Sequence, residues 1–282
     1  MAIILDGKQT AKKITDELKL KVQNLDKKPS LAVIMAGNNP ASEVYVKNKE
    51  KKALEIGFNS IIKKTDENIT KEELLKIIKE LNEDDNINAI LLQLPLPKHL
   101  NEKDFLDKID PKKDVDGFCS YNLGKLLKND SPYAIPCTPK GIVRLLDEYN
   151  IDIESKIALV IGRSNIVGKP VSILLLNRNS TVIMTHTKTK NLENLTKTAD
   201  ILICAAGKKE MIKKEMIKEN AVIIDVGITR DNDGKLKGDV DFNDVKEKTS
   251  YITPVPGGIG PMTIAMLMEN TYELYKIQKG IK

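Results

Sequence analysis

Residues 158–170, ALVIGRSNIVGKP, are an apolar run that stops at a glycine and restarts as a helix. The run reads as a buried strand, and Gly162 lets the chain turn tightly off its end. The helix that opens near Gly168 turns its first amides towards any phosphate placed there, and Ser164 can offer a hydroxyl. The middle glycine of the dinucleotide fingerprint GxGxxG is absent, so the turn alone reads equally well as an ordinary strand–helix joint. Two neighbours decide the matter. Arg163 lies in the turn itself, where a structural arginine has little to do. About 20 residues after the glycines, the position where an NAD-binding domain carries an acid for the ribose hydroxyl, VIMTHTKT (182–189) ends the next apolar run. No Asp or Glu stands there. Thr185, His186, Thr187 and Lys188 do, and three of them can take a phosphate, which favours NADP over NAD. His186 by itself reads as a structural or surface histidine.

Outward from this turn the pattern repeats. KIALVIG, STVIMTH, ADILICAAG and AVIIDVG are four strands at nearly regular spacing with helical patterns between them, the signature of βαβ units and a parallel sheet. TRDNDGKLKGDVDF (229–242) is polar with an Asp-Gly turn and reads as an excursion at the sheet edge. A first series precedes it: SLAVIMAG as a buried strand, residues 38–57 as a helix capped by Asn39 and ended by Gly57, then NSIIKK, TKEELLKIIKELN and NAILLQLPLP as strand, helix and strand. DSPYAIPCTPKG (130–141) breaks the periodicity between the two series. The last segment, GPMTIAMLMENTYELYKIQKG, is a helix whose methionines read as packing. The fold class is α/β, in two domains.

Composition excludes several functions. Hydrophobic residues are 41% and charged residues 30% of the 282, as in globular proteins. The net charge of +5 is a small excess of scattered lysines, and aromatics are only 4%, which argues against a basic groove with stacking platforms for nucleic acid. Mild basicity suits anionic small molecules. Cys119, Cys137 and Cys204 are widely spaced, odd in number and lack a CxxC pair. That argues against a disulfide framework and a zinc site and fits a reducing cytoplasm. MAIILDGKQTAKKI is too short in its apolar run for a signal peptide, and no segment is apolar enough to span a bilayer.

The first series carries the reactive candidates. On the helix over 40–56, Tyr45, Lys49, Ala53 and Ile56 fall in one apolar sector, whereas Lys47 and Lys51 point away and Lys52 lies near the sector's edge. A lysine on such a face must snorkel out, find a partner or lose its proton. Gln93 interrupts an apolar strand near its carboxyl end, where open α/β sheets hold ligands. A buried Gln needs hydrogen bonds, and a lysine arriving from a neighbouring helix would serve. DPKKDVDGF (110–118) sets Asp114 and Asp116 in a loop ending at Gly117; two aspartates spaced by one residue could suggest a metal, but no cluster of further carboxylates and histidines supports one.

YVKNK, LLQLPLP, KDVDGF, PCTPKG, GRSNIVGKP and PVPGGIGPMT, taken in order, resemble the motif set of the bifunctional methylenetetrahydrofolate dehydrogenase/cyclohydrolase family. The resemblance runs from about Leu5 to the final helix. Thr187 stands where the family usually has serine and Ile259 where valine is commoner; both keep the hydroxyl or the shape. The resemblance implies two α/β domains flanking a cleft: a folate-binding catalytic domain of residues 1–137 plus 263–282, and a Rossmann-like NADP-binding domain of residues 138–262 with a parallel sheet. It implies NADP-linked oxidation of 5,10-methylenetetrahydrofolate to the methenyl form and its hydrolysis to 10-formyltetrahydrofolate, in one-carbon metabolism. Lys49 would move the protons of hydrolysis, hydrogen-bonded by Gln93; Tyr45 would stack on the folate, and Asp116 would hold the pterin edge. Gly162, Arg163, Ser164, Thr187 and Ile228 would contact the cofactor, and Pro256, Gly257 and Gly258 would floor the cleft. It further implies a cytoplasmic homodimer with no metal. Two rival readings stay open on the sequence: a dehydrogenase without the hydrolase activity, and a nucleotide-binding sensor without turnover, which would need none of Tyr45, Lys49, Gln93 and Asp116.

Overall fold

The computed structural model of the chain describes residues 2–231 and 233–281; Met1, Asn232 and Lys282, which fall within the stretches and domain bounds read above, lie outside the described residues. The chain forms two compact units. One comprises Lys13–Cys137 and Ile264–Lys282, the other Met1–Lys12 and Thr138–Thr263. In chain order, the first elements are β1 (Ile3–Ile4), α1 (Gly7–Gln23), β2 (Ser30–Ala36), α2 (Pro40–Ile56), β3 (Asn59–Thr65), α3 (Lys71–Glu83), β4 (Ala89–Leu92), α4 (Lys103–Leu106) and α5 (Ser120–Leu127). Then come α6 (Cys137–Glu148), β5 (Ile157–Ile161), α7 (Gly168–Leu176), β6 (Thr181–Thr185), α8 (Leu192–Thr196), β7 (Ile201–Cys204) and β8 (Val222–Asp225). The short strands β9 (Thr229–Arg230) and β10 (Leu236–Lys237), α9 (Phe242–Val245), β11 (Tyr251–Ile252) and α10 (Ile259–Lys279) complete the order.

The Lys13–Cys137 unit is built on a three-stranded parallel sheet ordered β3-β2-β4. β2 lies in the middle, and all seven of its residues are buried, as its unbroken apolar sequence requires. α3 packs the stripe Leu74, Ile78 and Leu81 onto the sheet's core, against Ala32, Ile34, Ile90 and Phe105. Its start is fixed by a capping box between Thr70 and Glu73. α2 begins as its sequence dictates, with the Ser42 N–H donating to Asn39 Oδ1 at 3.3 Å, and ends where Gly57 adopts φ +97°. The methionines of α10 that belong to this unit, Met266 and Met268, are fully buried packing residues.

The other unit has a six-stranded sheet ordered β1-β11-β8-β7-β5-β6, every neighbouring pair parallel. From β5 the chain goes to one side for β6 and to the other for β7 and β8. The order therefore reverses beside β5, the place where sheets of this kind open a crevice for a ligand. β9 and β10 form a separate antiparallel hairpin, the polar excursion of residues 229–242.

By their contacts the residues up to Lys12 group with Thr138–Thr263, whereas the sequence reading sets them with 13–137. β1 adds a strand beside β11, with Ile3 opposite Tyr251 and Ile4 opposite Ile252, and the Lys8 N–H donates to the Gly257 carbonyl at 3.0 Å. A second difference concerns the proline-rich break. Pro139 sits in the first turn of α6, where a missing N–H costs nothing, so PCTPKG opens a helix instead of prolonging a loop.

The loop from Asp110 to Cys119 is held to the sheet by polar side chains. Lys113 is 7% exposed and donates to the carbonyls of Leu81, Asn82 and Asp84 at 3.1, 2.8 and 2.8 Å, capping the carboxyl end of α3. Burial pulls the pKa of its amine down, against the pull of Asp110, Asp84 and Asp85 in the other direction. Lys113→Met strips those carbonyls of their donor and should destabilise the protein by about 2–3 kcal/mol, read as a lower urea midpoint with an unchanged slope. An unchanged midpoint would show that water satisfies the helix end equally well.

Candidate active site

Lys49 resolves the question that its position on α2 poses: its Nζ donates to Gln93 Oε1 at 3.0 Å. The Gln93 amide is aimed by its other end, since Nε2 donates to the Leu94 carbonyl at 2.6 Å and leaves the oxygen for the lysine. Gln93 follows β4 directly, and its own N–H donates to the Ile34 carbonyl at 2.9 Å, continuing the ladder one step past the strand. The other lysines of α2 do different work. Lys47 and Lys51 are exposed, and Lys52 pairs with Glu55 at 2.6 Å.

Asp116 reaches the same strand end by a separate route. The loop makes an isolated parallel bridge to β4, Asp114 opposite Ile90, so two residues later it emerges at the strand's carboxyl end. Asp114 is buried and accepts from the Cys119 N–H at 2.9 Å and the Asn122 amide at 3.1 Å. Asn270 of α10 donates to the carbonyls of Val115 and Ile135, at 2.9 and 2.8 Å, and so fixes the residue before Asp116. Gly117 turns at φ +66° against the Ala134 carbonyl, 2.6 Å from where a Cβ would stand. Burial pushes the Asp116 carboxyl up; the Lys49 ammonium pulls it back, Asp114 pushes it further, and the Cys137 thiol lowers it. A lysine, an amide and a carboxyl group thus gather at one strand end.

Tyr45 departs from the apolar sector assigned to it. The buried stripe of α2 runs through Ser42, Val46, Ala53 and Ile56, and Tyr45 is 42% exposed at its rim, one turn before Lys49. Its ring offers an open face, not a packed one.

In the six-stranded unit Gly162 follows β5 at φ +124°, and a Cβ there would run into the Ala205 carbonyl after β7. A Cβ on Gly168 would strike the Gly162 carbonyl. Both glycines are therefore required by the closeness of the backbone at the sheet's switch point. Ser164 Oγ accepts from the amides of Val167 and Gly168 at 3.2 and 3.4 Å, capping α7 and keeping its own proton to donate. Arg163, Thr187 and Lys188 are exposed, whereas Thr185 is buried and donates to the Val160 carbonyl. His186 Nδ1 accepts from the Lys188 N–H at 3.1 Å and the His186 N–H donates to Thr189 Oγ1 at 2.9 Å, so the histidine builds the turn. The backbone cradle, the helix start, the cations and the absence of any acid from 185 to 190 fit a dinucleotide bearing an additional phosphate.

Ile228 is 43% exposed beyond the end of β8. Pro256 is exposed, Gly257 turns at φ +109°, and Gly258 is buried under Pro254 and against Gly7 at the start of α1. One group escaped sequence reasoning altogether. Asp225, in the run VIID, is 4% exposed, and burial pushes its carboxyl up to about 7 despite backbone donors from Val240, Asp239 and Gly227. The folded chain keeps this proton up to about pH 7, while the unfolded chain releases it near pH 4. Its contribution to stability therefore falls as pH rises from about 4 to 7 and levels off above. The stability difference between wild type and Asp225→Asn should shift by a few kcal/mol across that window, measured by urea unfolding at pH 5, 6, 7 and 8. A difference independent of pH would mean that the carboxyl is ionised throughout.

Comparison with known proteins bears on both units. Residues 5–116 match the family description "Tetrahydrofolate dehydrogenase/cyclohydrolase, catalytic domain", and residues 136–279 match "Tetrahydrofolate dehydrogenase/cyclohydrolase, NAD(P)-binding domain". The chain is 56% identical over 283 residues to the bifunctional protein FolD of Thermodesulfovibrio yellowstonii, covering 99% of each. Its fold is similar to the crystal structure of the bifunctional FolD methylenetetrahydrofolate dehydrogenase/cyclohydrolase of Campylobacter jejuni, with a TM-score of 0.97, 49% identity and 98% and 99% of the two chains covered. The Trypanosoma brucei methylenetetrahydrofolate dehydrogenase-cyclohydrolase, solved with NADP cofactor and an inhibitor, gives a TM-score of 0.93 at 36% identity over 98% of each chain. The chain belongs to the tetrahydrofolate dehydrogenase/cyclohydrolase family.

Proposed function

We propose that the protein oxidises 5,10-methylenetetrahydrofolate to 5,10-methenyltetrahydrofolate with NADP and hydrolyses that product to 10-formyltetrahydrofolate. The observation that carries this reading is the 3.0 Å hydrogen bond from Lys49 to Gln93, at the strand end that also holds Asp116, in a member of this family. Bound NADP supplies hydride acceptance, and Gly162, Arg163, Ser164, Thr187 and Ile228 are the residues that would hold it. The chain's own part in oxidation is alignment: the exposed ring of Tyr45 stacks on the folate, and Asp116 binds the pterin edge, where adjacent ring N–H and amino groups present paired donors.

Hydrolysis needs a proton removed from water as its oxygen bonds the amidinium carbon. It then needs a proton delivered to the ring nitrogen as the carbon–nitrogen bond breaks. The Lys49 amine does both. Gln93 accepts one of its N–H bonds and so fixes where the nitrogen points. Pro256, Gly257 and Gly258 offer backbone close to the substrate, since glycine leaves room for it. The cytoplasm and a homodimer belong to the same reading. The three cysteines are buried and none is joined in a disulfide, as a reducing compartment allows, and no described helix is long and apolar enough to cross a membrane.

The test is an absorbance assay of the purified chain with methylenetetrahydrofolate and NADP or NAD, with methenyl and 10-formyl products counted separately. NADP-dependent formation of both species is the expected result; cofactor binding without turnover would overturn it. Lys49→Gln should lower hydrolysis of supplied methenyltetrahydrofolate by about 10²-fold or more, and a variant that still hydrolyses at the wild-type rate would remove Lys49 from its role. Arg163→Ala should weaken NADP by about tenfold, some 1.4 kcal/mol, with little change for NAD. Equal losses for both cofactors would show that Arg163 does not serve the additional phosphate.

A further inference from the structure

Two buried carboxylates at the ends of β7, β8 and β11 hold the nucleotide edge together, and neither belongs to the contacts assigned above. Asp239 is fully buried; its Oδ2 accepts from the amides of Ala206 and Gly207 at 2.6 and 3.0 Å, and its Oδ1 accepts from Lys208 at 2.8 Å. Asp225 Oδ1 accepts from Gly227 at 3.0 Å and from the Asp239 amide at 2.9 Å, and its Oδ2 accepts from Val240 at 2.9 Å. The Asp225 N–H donates to Thr253 Oγ1 at 2.7 Å, at the root of PVPGG. Gly227 lies against the Asp239 carboxylate and Gly238 against that of Asp225, so close that a Cβ on either would collide. These bonds link three turns: 205–208, whose Ala205 carbonyl backs the Gly162 turn; 226–228, which carries Ile228; and 253–258.

We propose that Asp239 is a positioning residue for the dehydrogenase, holding the 206–208 turn and, with Asp225, the 226–228 turn in the cofactor-accepting arrangement before the cofactor arrives. The inference rests on the reading of this edge as the NADP site. Six backbone amides aimed at two carboxylates order a surface that would otherwise be ordered only by its ligand, and ordering at the moment of binding weakens affinity. Asn at 239 keeps the size of the side chain but turns an NH₂ group towards part of the amide set, so the arrangement loses at least one bond and gains a repulsion.

The experiment has two arms, both at pH 8 on the full chain. In calorimetric titration with NADP, Asp239→Asn should raise Kd at least tenfold and lower NADP-dependent oxidation at least five times more than hydrolysis of supplied methenyltetrahydrofolate. Asp241→Asn removes a neighbouring carboxylate that pairs with Lys213, and it should change Kd less than twofold. An Asp239→Asn chain that binds NADP as wild type does, or loses both activities equally, overturns the proposal. Hydrogen exchange on the unaltered chain decides even where the variant does not fold. The amides of Ala206, Gly207 and Lys208 should be protected without NADP and gain less than twofold on its addition; free exchange that becomes slow only with NADP overturns the proposal. A wild-type chain that binds no NADP overturns the cofactor reading itself, and the exchange measured without ligand still reports whether the turns are preformed.

Discussion

A parallel strand ends where its ladder stops, and the turn that follows has amides and carbonyls that the sheet cannot pair. Apart from Tyr45 and Lys49 on α2, what this protein brings to its chemistry stands on such turns, because within each sheet parallel strands deliver their carboxyl ends to one edge. The fold has to fix them by other means. In the three-stranded unit Gln93 is set by the Ile34 carbonyl and by its own bond to Leu94, and Asp116 by Asp114, Asn122 and Asn270 around it. In the six-stranded unit, Asp225 and Asp239 take the free amides.

The sign of the anchor follows the backbone group that is short of a partner. Helix ends present carbonyls, and lysines meet them. Lys113 caps α3, and Lys28 donates to the carbonyls of Val22, Gln23 and Leu25 at 2.9, 3.1 and 2.7 Å beyond α1. The turns after β7 and β8 present amides, and carboxylates meet those. A chain with 45 basic and 40 acidic residues has no shortage of either, and ion pairs such as Lys64–Glu43 and Lys197–Glu193 are surface pairs of small energetic worth. The few charges turned inward onto the backbone are the ones that shape the sites.

Local patterning made the strands β2, β5, β7 and β8 and the helices α2, α3 and α10 legible, because each has the apolar period of its element. Lys49 and Gln93 were legible for a related reason: each is a polar residue where the pattern calls for an apolar one. What lay hidden depends on partners far away in the chain. β1 has only two residues and acquires meaning from Tyr251 and Ile252. Tyr45 shares an angular sector with Lys49, yet which part of a helix meets its neighbours is settled by packing, and the stripe through Val46 wins. Asp225 and Asp239 look like surface aspartates in sequence, since the amides that justify their burial come from Ala206–Lys208, Gly227 and Val240. Pro139 concealed a helix start by standing where a proline is welcome.

The pairing of β1 with β11 carries a consequence for how the protein is made. A ribosome releases residues in order, so β1 has no neighbour on which to settle until Ile252 has left the exit tunnel. The other unit waits longer, because Asn270 must arrive before Val115 and Ile135 receive its amide. Neither unit can mature during elongation in the usual way, one after the other from the start of the chain. Both are completed only once those late segments have emerged, and until then the apolar strand β2 and the half-built sheet around β5 depend on whatever shields nascent chains.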